Sequence, residues 1–123
     1  MADKDLRISG LLDIYGEMLT DKQRDVIDLY YNQDLSLAEI AEHEGITRQG
    51  VRDNIKRGEV FLLEMEEKLH FYQKFLRLVS LSDTVRELCE EIDSKNTGAV
   101  SSPEIDRCSR MIRELIDSYT EQF

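Results

Sequence analysis

With 123 residues, 41% hydrophobic and 34% charged, the chain has the size and composition of one globular domain, or of one domain with a helical appendage. A single proline and six glycines argue against a β-sandwich, and no apolar run nears the roughly 18 residues that read as a bilayer span. The net charge of −10 opposes nucleic-acid binding only as a sum: residues 1–35 carry 4 basic and 8 acidic side chains, residues 36–58 carry 4 and 4, and residues 59–123 carry 8 and 14.

The stretch Met1–Arg7 is polar and acidic with no apolar signal core, so a cytoplasmic protein is expected. From about Asp5 to Met18, the apolar positions Ile8, Leu11, Leu12, Tyr15, Met18 and Leu19 recur at steps of three and four and predict a first helix. Thr20 with Gln23 has the spacing of a capping box and opens a second helix over about Asp21–Tyr31, with Val26, Ile27 and Tyr30 inward. Ser36 with Glu39 is a second capping box and starts a short helix to about His43. Gly45 breaks it, and Thr47 caps the next helix, which runs through at least Arg57.

A longer helix is expected from Glu59 to about Ser80, with Phe61, Leu62, Met65, Leu69, Tyr72 and Leu76 along one side. A further helix over about Asp83–Ile92 places Val85, Leu88, Cys89 and Ile92 inward. After a loop at Asp93–Ser102, Pro103 sits in the first turn of a last helix to about Tyr119. On it, Ile105, Cys108, Ile112, Leu115 and Tyr119 alternate steps of four and three, a seam able to pack on a helix of the same or another chain. Gly58 is the candidate hinge, giving a helix-turn-helix domain at 1–58 and a helical extension at 59–123 for core packing and for dimerisation or partner docking.

Residues 36–57 carry the function expected of the chain. Leu37, Ile40 and Ala41 share one helix face, Gly45 supplies a turn that wants positive φ, and Val51 and Ile55 pin the second helix onto the first. Arg48, Gln49, Arg52, Asp53 and Lys56 are left on the outer face. Arginine reads guanine edges and glutamine reads adenine edges by two-point contacts, and a helix of this kind fits the major groove. Asn54, Arg57 and the amide end of the helix at Thr47 are placed for phosphates. Gly50, inside the helix, marks a close approach of the neighbouring helix or of a ligand.

The segment SLAEIAEHEGITRQGVRDNIKRGE resembles region 4 of bacterial sigma factors, which reads the −35 promoter element. More widely, LTDKQRDVIDLYYNQDLSLAEIAEHEGITRQGVRDNIKR followed by EEKLHFYQKF is similar to the YlxM family, small helical proteins encoded beside the signal recognition particle genes. The resemblance covers about half the chain. It implies an all-α, sigma-region-4-like helix-turn-helix with additional C-terminal helices, and a regulatory role in the signal recognition particle pathway.

Other chemistry is poorly provided for. Asp93–Glu104 approaches the pattern of a calcium loop, but Lys95 stands where the third position needs an oxygen ligand. His43 and His70 have no metal spacing with the cysteines, and Cys89 and Cys108 read as reduced, buried packing residues. No catalytic set, cofactor loop or metal site is expected, and the chain does not read as an enzyme. The expectation is a DNA-binding regulator, with RNA as the other target, acting as a homodimer. The alternative is a protein- or RNA-interaction module of the signal recognition particle machinery that does not read DNA.

Overall fold

A computed structural model describes residues 4–121; residues 1–3, part of the stretch read above as lacking a signal core, and residues 122–123 lie outside the described residues. The described residues form six α-helices, two short 3-10 turns and no strand. The helices are α1 (Arg7–Tyr15), α2 (Asp21–Tyr31), α3 (Leu37–Glu44), α4 (Arg48–Leu69), α5 (Phe71–Lys95) and α6 (Pro103–Thr120). This is the all-α class expected, and it divides into two compact units, one through Tyr72 and one from Gln73 onward.

In the first unit, local chemistry sets the helix starts. The Thr20 hydroxyl accepts from the Gln23 amide at 3.2 Å, and the Gln23 side chain accepts from the Thr20 amide at 3.4 Å. Ser36 and Glu39 form the same reciprocal pair at 3.1 and 3.2 Å. The Ser36 amide holds the Glu39 carboxyl below its ordinary range. These boxes satisfy amides that a helix cannot pair within itself.

α4 packs on α1, α2 and α3. Against α1 it buries Leu62 among Ile8, Leu11, Leu12, Tyr15, Leu19 and Ile27. Against α2 and α3 it buries Val51 and Ile55 among Val26, Leu29, Tyr30 and Ile40. Each such aliphatic side chain contributes about 1.5–3 kcal/mol on burial, so the two clusters fix the position of α4 at both ends.

Four features differ from the sequence reading. α1 ends at Tyr15 and closes in a 3-10 turn at Gly16–Met18, which leaves Met18 exposed rather than in the core. The helix expected to start at Glu59 is the continuation of α4, and it ends at Leu69 rather than near Ser80. α5 then runs to Lys95 with no break at residues 80–83. Gly58 is not a hinge: it lies inside α4, where an added Cβ would stand 2.2 Å from Ile27 Cδ1, and the units divide after Tyr72.

The break at His70 has an identifiable cause. His70 takes left-handed backbone, φ +57°, and its amide donates to the Glu66 carbonyl at 2.8 Å. The Tyr15 hydroxyl donates to Glu66 Oε1 at 2.7 Å and accepts from the Phe71 amide at 3.2 Å. The Tyr72 amide donates to the same carboxylate oxygen at 3.0 Å. Side chains from α1 and α4 thus cap the start of α5. Burial, then the bond to Glu66, raises the Tyr15 phenol above its ordinary value.

The second unit is an antiparallel pair, the later part of α5 and α6. Arg86 joins Asp117 at 2.7 Å and Arg113 joins Asp93 at 2.5 Å across it. The loop between them is closed by Asn96, whose side chain donates to the Ser102 carbonyl and accepts from the Ser102 amide, at 2.9 and 2.7 Å. The buried residues are Ser82, Cys89 and Ser109. Cys108 is exposed rather than buried, and Leu88 and Ile92 are exposed rather than inward. The reason is rotational: Cys89 and Ser109 occupy the contact, and their apolar neighbours fall to one side of it.

Candidate nucleic-acid interface

The helix-turn-helix is α3, a turn at Gly45–Thr47, and the first part of α4. Gly45 adopts φ +66°, ψ +34°, so the turn is one that a side chain would strain. The Ile46 amide donates back to the Ala41 carbonyl at 3.1 Å, and Ile46 packs against the core cluster around Ile40. Ion pairing of Lys22 with Glu44 at 2.8 Å ties α2 to the end of α3. Thr47 then caps α4, its hydroxyl accepting from the Gly50 amide at 2.9 Å.

Ile40, Val51 and Ile55 are fully buried, and this sets the rotation of α4. Arg48, Gln49, Arg52, Asp53, Lys56 and Arg57 are all exposed as a result. Arg48, Arg52 and Lys56 follow one another at steps of four, so they form one strip, with Gln49 beside it. Gln49 Nε2 donates to Asp53 Oδ1 at 3.0 Å, which steadies the side-chain amide in the first turn of the helix. The i,i+4 spacing of that pair is readable in the sequence.

Not every expected residue is turned outward. Asn54 is half-buried, and its side chain donates to the Gly50 carbonyl at 2.8 Å, within its own helix. The atoms nearest a Cβ at Gly50 belong to Thr47 and Ile46, not to the facing helix, so Gly50 does not mark a helix crossing.

Ahead of α4 every described Lys and Arg of the first unit is ion-paired, whereas on α4 none pairs with a described residue, Lys68 near its far end included. Lys4, Arg7, Lys22 and Arg24 each sit in an ion pair, with Asp34, Asp5, Glu44 and Asp21. Arg48, Arg52, Lys56 and Arg57 form no ion pair with described residues. Sequence alone shows that the middle segment is balanced in charge. It does not show that two of the four acids there are engaged elsewhere, Glu44 with Lys22 and Glu39 with the Ser36 amide, while Asp53 bonds Gln49 beside the strip.

Among the described residues, no three of His, Cys, Asp and Glu stand together as a metal set, and no helix is long and apolar enough to cross a membrane. Asp93, first residue of the approximate calcium loop, is held by Arg113.

The sequence profile of a family described as "Putative helix-turn-helix protein, YlxM / p13 like" matches residues 2–102. A UPF0122 protein of Acetivibrio thermocellus is 41% identical over 116 residues, 94% of this chain and 99% of the relative. One of Clostridium kluyveri is 61% identical over 69 residues, 56% of this chain and 62% of the relative. One of Oceanobacillus iheyensis is 49% identical over 86 residues, 70% of this chain and 82% of the relative.

Proposed function

The chain belongs to the YlxM/p13-like helix-turn-helix family, and from that footing we propose that it is a cytoplasmic DNA-binding regulator that lays the start of α4 in a major groove. The observation that carries this reading is the cluster of four cations in the first three turns of α4 that forms no ion pair with described residues, where Lys4, Arg7, Lys22 and Arg24 ahead of it are all paired. Arg48, Gln49, Arg52 and Lys56 read base edges, and Asp53 orients Gln49. Arg57 and the amides of Arg48 and Gln49, which precede the first intrahelical bond, contact phosphates. Thr47 shapes that helix end, and Asn54 supports it from within the helix. The protein works as a homodimer without catalysis, so that two recognition helices share one site.

The excess of acid elsewhere repels phosphate from other faces and sharpens the docking. RNA is the other polymer such a strip could engage.

A second reading rests on a different surface. Asp13, Glu17, Asp25 and Asp28, with Arg24 as the one cation among them, line a shallow depression formed by α1, the 3-10 turn after it and α2. This acidic side suits a basic protein of the signal recognition particle machinery, and docking there would leave α4 unused.

Salt titration of binding to random-sequence duplex separates the two. On random-sequence duplex, where no base edge is matched and all four cations turn to phosphates, the slope of log affinity against log salt should be about −3.6 per copy, and Arg48→Ala/Arg52→Ala should lower its magnitude by about 1.8. No measurable duplex binding at low salt would overturn the DNA reading.

A further inference from the structure

We infer that the second unit is completed by a second copy of itself: the outer apolar face of α5 and α6 is a homodimer interface that closes a four-helix bundle. This stands on the packing of that unit and not on the nucleic-acid reading.

The contact between α5 and α6 is small and polar. Its buried residues are Ser82, Cys89 and Ser109, and the hydroxyl of Ser109 and one oxygen of Asp93 are buried without a hydrogen-bond partner among the described residues. Such a seam gives the pair little hydrophobic stabilisation. The large apolar side chains lie outside it. On α5, Leu81, Val85, Leu88 and Ile92 follow at steps of four, three and four. On α6, Ile105, Ile112, Leu115 and Tyr119 keep the same heptad phase, with Cys108 between them.

Both stripes open on the same side of the pair. Ile92 of α5 and Ile105, Cys108 and Ile112 of α6 line one open groove of about 410 Å³. The ion-paired residues Arg86, Glu90, Arg113 and Asp117 line a different depression. The pair therefore has an apolar face and a charged one. Leu88 is 53% exposed, Leu115 61% and Tyr119 63%.

The amount and pattern of this surface select the occupant. Roughly ten half-exposed apolar side chains offer about 700–800 Å² per copy, close to the about 800 Å² that each partner gives to a stable interface of standard size. That exceeds the few hundred Å² of contiguous apolar surface usual on a monomer. Two antiparallel helices with heptad-spaced stripes need two more such helices to bury them. A second copy supplies them by a twofold axis, and in the amount that a face exposed in every folded chain requires.

The test is sedimentation of the full chain without nucleic acid, from nanomolar to high-micromolar concentration, with Leu88→Asp/Leu115→Asp and, as a control on the charged side, Glu90→Gln. The wild type and the control should dimerise, and Leu88→Asp/Leu115→Asp should weaken dimerisation by at least roughly 100-fold with its helix content intact. If that variant loses its helical signal, alkylation of Cys108 in the wild type decides: its rate should fall at least about tenfold as the protein concentration rises through the dimerisation range. A wild type monomeric at every concentration, a dimer that survives the double substitution, or a Cys108 rate independent of concentration would overturn the inference.

Discussion

Gly45 and Gly58 are glycines for different reasons, and substitutions separate them. At Gly45, φ is +66° and nothing lies within 4 Å of an added Cβ, so Gly45→Ala should cost about 1 kcal/mol through backbone strain alone. At Gly58 the conformation is helical, but the Cβ would meet the fully buried Ile27. Overpacking of about 1–3 kcal/mol outweighs the roughly 1 kcal/mol gain in helix propensity, so Gly58→Ala should also destabilise; urea unfolding measures both. Two tyrosines give the fold a dependence on alkaline pH. Burial, then a 2.5 Å bond donated to Glu59, raises the Tyr31 phenol, and Tyr15 is raised in the same way by burial and Glu66. A folded-state value above the unfolded one, about 10, means that their contribution is complete below that pH and is lost as pH rises through the folded-state values. Tyr31→Phe should therefore flatten the fall in stability above pH of about 10 in denaturant titrations.

At the scale of elements, the helices that start on local chemistry and those that start on distant contacts behave differently. Ser36→Ala removes one half of a capping box from an eight-residue helix and should cost about 1 kcal/mol, read as a shift in thermal midpoint. His70→Gly should do the opposite, raising stability by up to about 1 kcal/mol, because glycine takes φ +57° without a Cβ penalty. The same contrast explains what could be read from the sequence. The starts of α2, α3 and α4 carry Thr20, Ser36 and Thr47 with their partners three residues on, so each was visible in a short window. The corner at His70 has no glycine or proline, and the groups that cap α5 come from Tyr15, 56 residues away from Phe71, and from Glu66. The outward placement of Arg48, Arg52 and Lys56 is legible because Val51 and Ile55 fix the rotation of α4. The inward bond of Asn54 was not, since an asparagine on a half-buried face can turn either way. Nor was the exposure of Leu88 and Cys108: a helical stripe shows that a face is apolar, not what covers it.

For the molecule as a whole, the proposed function requires a chain of net charge −10 to meet a polyanion through one unneutralised strip, so recognition would rest on few side chains. Two such strips joined through the second unit would bind a two-part site far more tightly than one. Selection of a nucleic-acid sequence by α4, as proposed above, can be read by capturing fragmented genomic DNA and total RNA at moderate salt and sequencing what is bound. Wild type should enrich a short DNA motif, and Arg48→Ala/Arg52→Ala should not. Equal, unenriched pools from the two proteins would rule out sequence selection by α4.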